Sequence, residues 1–199
     1  MDDVIIYIIH TSLVESHLSY IASFISEKRK QKASKIINEN DRLLSIGAGY
    51  LLKKYLPDGD ILISQSGKPY LVDGPFFNIS HSGEYALLAV HSTREVGVDI
   101  ERIDIKKIDA IRYVLSVEEK SVTDVNTLFR IWSNKESLVK CQSTGIKDIK
   151  KVSGLPLEGT RILDEEYYSK SMIYNGYSLS ITLKGNEPCN VKIQEIKNV

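Results

Sequence analysis

The sequence predicts an α+β fold, and three observations carry that reading. Short apolar runs rich in β-branched residues open the chain and recur in its middle and last thirds. Two longer stretches, 41–56 and 125–142, place apolar side chains at helical spacing. The elements run strand, helices, strands, then helices and strands again, without a residue-level repeat. Two similar α+β halves would give that order, with a boundary near residues 103–110. No low-complexity linker marks the boundary, so the halves are expected to pack closely.

"VIIYII" (4–9) is the expected first strand. "SEKRKQKASKII" (26–37) and "DRLLSIGAGYLLKKYL" (41–56) are expected helices, the second with Asp41 as N-cap. Pro57-Asp58-Gly59 stops it. Strands are expected over 61–65, 69–72, 76–80, 85–91 and 96–101, separated by Gly, Ser and Pro at hairpin spacing. "SVEEKSVT" (116–123) pairs Ser116 with Glu119 in a capping-box pattern and predicts a helix start. A long amphipathic helix (125–142) follows. Strands over 167–174, 177–183 and 189–196 close the chain, the first two joined by Asn175-Gly176, a two-residue hairpin signal.

The chain has 199 residues with 26 Lys plus Arg against 26 Asp plus Glu. A net charge of zero argues against a general nucleic-acid binder, whose affinity needs an excess of cations. No apolar run approaches the roughly 20 residues that span a bilayer. "MDDVIIYIIHTSL" opens with acids and lacks a signal-peptide pattern. Cys141 and Cys189 are too few for a disulfide scaffold and lack metal-ligand companions. A cytoplasmic protein with reduced thiols is expected, with no membrane partner.

Three stretches hold candidate chemistry. In "VGVDIERI" (96–103), Asp99 and Glu101 interrupt an apolar strand two residues apart. Alternation points both carboxylates the same way, about 6.5–7 Å apart along the chain. Carboxylates that close repel and are rarely buried without a partner. An edge strand with its acids in water would be the plain explanation. In 125–142, Trp132, Glu136 and Lys140 recur every four residues and share a face, which a simple Glu–Lys surface pair would also explain. In "FNISHSG" (77–83), Ser80, His81 and Ser82 fall at the end of a strand, where side chains are presented for function or hydrogen-bond within a turn.

Together, "FNISHSGEYALLAVHSTREVGVDIE" and "FRIWSNKESLVK" resemble the motif set of the 4′-phosphopantetheinyl transferases, and the two-domain type that activates peptide synthetases fits best. The likeness is tight over 77–140 and looser upstream, through "SGKPYL" (66–71) and "SEKRKQK" (26–32). It implies an α+β fold of two similar α/β halves packed as a pseudo-dimer in one chain, residues 1–105 and 106–199, acting as a monomer. It implies transfer of the 4′-phosphopantetheine arm of coenzyme A to a serine of an apo acyl or peptidyl carrier protein, releasing adenosine 3′,5′-bisphosphate. Asp99, Glu101 and Glu136 would hold Mg²⁺, a hard cation suited to oxygen ligands and phosphates.

By the same resemblance, Glu136, Lys140 and His81 are the catalytic residues. Lys28, Ser45, Lys68, Ser80, His81 and Lys140 contact the coenzyme. Gln31 or Lys32 would take the second basic position near its 3′-phosphate. "CQSTGIK" (141–147) departs from the family's glycine-rich turn. A Mg²⁺-dependent phosphoesterase or nuclease, or a non-catalytic binding module, are the rival classes. The resemblance is compatible with carriers of fatty-acid, polyketide and non-ribosomal peptide biosynthesis.

Overall fold

The computed structural model describes residues 3–163 and 165–199. It is a mixed α/β structure with two four-stranded sheets and a small hairpin. β1 (Asp3–His10) leads into two short helices, α1 (Thr11–Ser16) and α2 (Leu18–Phe24), then α3 (Glu27–Ser34) and α4 (Glu39–Tyr55). β2 (Ile61–Ile63) and β3 (Pro69–Leu71) form the hairpin. β4 (Phe76–Ser82), β5 (Tyr85–His91) and β6 (Val96–Arg102) follow. α5 (Ile108–Val114) and α6 (Val125–Gln142) precede β7 (Glu158–Ile162), β8 (Glu166–Tyr174), β9 (Tyr177–Lys184) and β10 (Asn190–Glu195).

The first sheet has the order β10-β1-β5-β4 and the second β6-β9-β8-β7. In each, the opening strand pairs antiparallel with the second strand of a later hairpin, β1 with β5 and β6 with β9. A long helix, α4 or α6, lies between strand and hairpin in sequence. Sheet membership crosses the expected boundary at residues 105 and 106: β6 lies in the second sheet, and β10 returns to pair in parallel with β1.

Alternation along the strands builds the layers. Val4, Ile6 and Ile8 of β1 pack with Val96, Val98 and Ile100 of β6 and Leu179, Ile181 and Leu183 of β9, filling the space between the sheets. On the other side of the first sheet, Ile9, Ala86, Leu88 and Phe77 pack against Leu44, Tyr50 and Leu51 of α4. The outer side of the second sheet is polar, although buried. Ser178, Ser180 and Thr182 of β9 meet Ser133 and Ser137 of α6 through hydroxyl pairs at 2.7–2.8 Å. Small hydroxyl side chains let the helix sit close, and pairing removes the cost of burying them.

Several local expectations change. Asn38, not Asp41, caps α4, its Oδ1 accepting from the Asp41 N–H at 3.0 Å. The capping box at Ser116 and Glu119 forms in both directions, at 2.7 and 3.1 Å, but only a 3-10 turn over 119–121 follows. Glu119 is fully buried and bonds Lys135 of α6 at 2.7 Å. Its carboxylate ties this turn to α6 rather than starting a helix. α1, α2, α5 and β7 are elements that periodicity did not reveal.

Candidate active site

The edge strands of the two sheets, β4 and β6, meet side by side. α6 crosses the face of β6 that carries Gly97, Asp99 and Glu101. A Cβ on Gly97 would stand 2.0 Å from the Ser137 carbonyl oxygen, so only glycine admits the helix backbone there. This contact brings Glu136 and Lys140 of α6 over the two acids of β6.

Asp99 is only 3% exposed. Its Oδ1 accepts from Lys140 Nζ at 2.6 Å and from Ser80 Oγ at 2.9 Å. Its Oδ2 is buried with no partner. Burial raises its pKa, the Lys140 charge opposes, and Glu101 adds to the rise. Glu101 Oε2 accepts from Ser82 Oγ at 3.0 Å and Lys107 Nζ at 3.1 Å. Glu136 is 8% exposed. Burial first, then the Asp99 charge, push its pKa to about 7, with Lys140 opposing and Glu101 reinforcing. The plain Glu136–Lys140 pair is therefore not how the lysine is used: its ammonium sits on Asp99 and also donates to Ser80 Oγ at 3.1 Å.

His81 lies on the opposite side of β4 from Ser80 and Ser82. It is accessible to solvent, yet enough protein surrounds it for desolvation to be the largest cause lowering its pKa. The charges of Lys140, Arg29 and Lys32 lower it further, and Asp41 opposes. The imidazole is thus neutral near pH 7, beside a cluster of cations.

Sequence reasoning missed Arg29. Its side chain lies over α4 at Gly49, where a Cβ would approach its Cγ to 2.6 Å. Its Nε and Nη2 are buried with no partner. Ser45, one turn before Gly49, is 7% exposed, and its Oγ is likewise buried without a partner. Lys28 is exposed on α3. The α3 cations whose charge reaches His81 are Arg29 and Lys32. Nothing in "EKRKQK" marks which cation turns inward; the glycine of α4 that makes room is the only signal.

Lys68 stands apart from this cluster. Its Nζ bonds Glu95 Oε2 at 2.7 Å and the Cys141 carbonyl at 3.2 Å, beside a hollow lined by Tyr70, Phe76, Phe77 and Ser143. Cys141 itself is buried, its thiol pushed to about 12 by desolvation, which makes it inert. Among the described residues, no group of three or more His, Cys, Asp or Glu is gathered as a ready-made metal site. The charge of Glu101 reaches both Asp99 and Glu136, that of Asp99 reaches Glu136, and Lys140 opposes both shifts.

The candidate site is a set of carboxylates and cations where the edge strands of the two sheets meet. Residues 95–184 match the family model of the 4′-phosphopantetheinyl transferase superfamily, and this segment belongs to that superfamily. A 4′-phosphopantetheinyl transferase of Aneurinibacillus migulanus is 30% identical over 149 residues, covering 67% of this chain and 62% of that protein. One from Bacillus subtilis is 31% identical over 140 residues, covering 65% and 55%. One from Nostoc is 29% identical over 174 residues, covering 76% and 73%. The chain spans 62% of the Aneurinibacillus protein and 51% of a phosphopantetheinyl transferase from Xenopus laevis. No helix among the described residues is long and apolar enough to cross a membrane.

Proposed function

We propose that this protein is a 4′-phosphopantetheinyl transferase of two α/β halves, working as a cytoplasmic monomer. Coenzyme A and an apo acyl or peptidyl carrier protein are its substrates. The observation that carries the reading is the meeting of Asp99, Glu101, Glu136 and Lys140 with Ser80 and His81 where β4, β6 and α6 join, partly within the segment that matches the family.

The residues fit a Mg²⁺ ion. The donor set is all oxygen, Asp99 Oδ2 is an acceptor without a partner, and burial first, then the charges of Asp99 and Glu101, raise the cost of ionising Glu136, a cost that a bound cation would lift. Asp99, Glu101 and Glu136 would hold it. Bound there, it would neutralise charge on the pyrophosphate of coenzyme A.

The chain's own groups do the rest. The carrier serine oxygen attacks the β-phosphorus of coenzyme A, and the bond to the bridging oxygen breaks. Adenosine 3′,5′-bisphosphate leaves, and the arm stays on the serine. Glu136 would take the serine proton; its pKa of about 7 belongs to the cation-free site, and a bound cation would keep it ionised and able to accept. Lys140 would turn from Asp99 to the phosphate oxygens as charge grows on them. The neutral His81 and Ser80 would donate hydrogen bonds to the same phosphates. Arg29, Lys32 and Ser45 have the charge and the unpartnered donors to hold the 3′-phosphate. Lys28 and Lys68 are outer contacts in this reading. Ile105, Tyr113 and Val117 are exposed at 72%, 73% and 89%, and their segment is proposed to meet the carrier.

The test mixes the full chain with Mg²⁺, coenzyme A and several apo-carriers and reads intact mass. A gain of one phosphopantetheine on a carrier is expected. Release of inorganic phosphate or nucleotide without any carrier would favour a phosphoesterase instead.

A further inference from the structure

β6 is an edge strand, paired with β9 on one side only. Its other side turns alternate N–H groups toward β4, inside the junction. Burying an N–H without a partner is costly. No strand answers these groups; the side chains of β4 do. Asn78 Oδ1 accepts from the Val98 N–H at 3.0 Å, Ser80 Oγ from Ile100 at 3.3 Å, and Ser82 Oγ from Arg102 at 3.1 Å. The step is two residues on both strands, so side-chain alternation on β4 matches N–H alternation on β6. The two hydroxyls then donate onward, Ser80 to Asp99 and Ser82 to Glu101, at 2.9 and 3.0 Å. Each serine grips a backbone N–H and the carboxylate of the preceding residue.

We propose that Asn78 and Ser82 are positioning residues: with Ser80 they form a side-chain strand that locks β6 to β4 and fixes where Asp99 and Glu101 stand relative to Glu136 and Lys140. Its functional half rests on the cation reading above. Short acceptors suit the role, because their oxygens meet the N–H row at 3.0–3.3 Å across two closely packed strands. A group that orients a metal ligand sets affinity without touching the substrate.

The test pairs amide hydrogen exchange with direct titration of the full chain by Mn²⁺, without coenzyme A. Asn78→Ala should speed exchange at Val98 and Ser82→Ala at Arg102, each about tenfold or more, while amides of β9 stay protected. The Mn²⁺ concentration at half-saturation should rise about tenfold in Ser82→Ala, and Ser82→Thr should restore both values. Unchanged exchange at Arg102 in Ser82→Ala, or faster exchange with unchanged Mn²⁺ affinity, would overturn the proposal. If Asn78→Ala does not fold, the Ser82 pair decides. A wild-type chain that takes up no Mn²⁺ would strike at the cation reading instead, and the exchange arm alone would then decide the ladder.

Discussion

Glu136 is a buried acid with a pKa near 7 against an ordinary 4.5, so the folded chain holds its proton longer than the unfolded chain does. Between those values the folded state binds more protons, and stability falls as pH rises. Without divalent cation, the wild type should lose about 2–3 kcal/mol across that window from this group. Glu136→Gln should abolish the loss, which urea unfolding at pH 5 and pH 8 with a chelator would measure; parallel curves for the two chains would refute it. A kinetic prediction concerns the cations. Lys140→Ala should lower turnover about a hundredfold at saturating coenzyme A, because its charge meets the transition state. Arg29→Ala should instead raise the Michaelis constant for coenzyme A, and more than Lys28→Ala or Lys68→Ala. A Lys140→Ala enzyme with normal turnover and a raised Michaelis constant would make that lysine a clamp. The motif spacing singled out Asp99, Glu101, Glu136, Lys140, Ser80 and His81; the fold brings the first five together, and His81, on the other side of β4, feels the Lys140 charge. Arg29 was not legible, since its burial depends on a glycine in another helix.

At the scale of elements, β1, β5, β6 and β9 were readable because they are buried strands with dense β-branched or apolar residues. α1 and α2 are short, and β7 buries only Arg161, so neither periodicity shows. The turn after Ser116 had a true capping signal put to another use. Burial alone would raise the Glu119 pKa, but Lys135 and the N–H groups of Gly154 and Ser116 outweigh it and lower it. Glu119→Ala leaves the Lys135 ammonium buried and should cost about 3–5 kcal/mol of stability. A change under 1 kcal/mol in chemical unfolding would show that the pair is dispensable. The segment from 103 to 125 has apolar side chains exposed among balanced charges. The Michaelis constant for carrier should therefore rise only weakly with salt. A steep rise between low and physiological salt would point to a basic docking patch.

At the scale of the whole molecule, the run of strands and helices along the chain was legible, and the order of strands within each sheet was not. β6 and β10 each pair in a sheet that their position in sequence does not announce. Pairing across the chain depends on which edges are left open, which no local pattern records. The candidate site lies where the two edge strands, β4 and β6, meet. The activity proposed for these groups is phosphopantetheine transfer. Intact mass of apo-carriers after incubation with coenzyme A and Mg²⁺ tests it most directly. The wild type should add one phosphopantetheine to a carrier serine, and Asp99→Ala, Glu101→Ala or chelator should abolish the gain. No gain on any carrier, or full transfer by Asp99→Ala at low Mg²⁺, would contradict it.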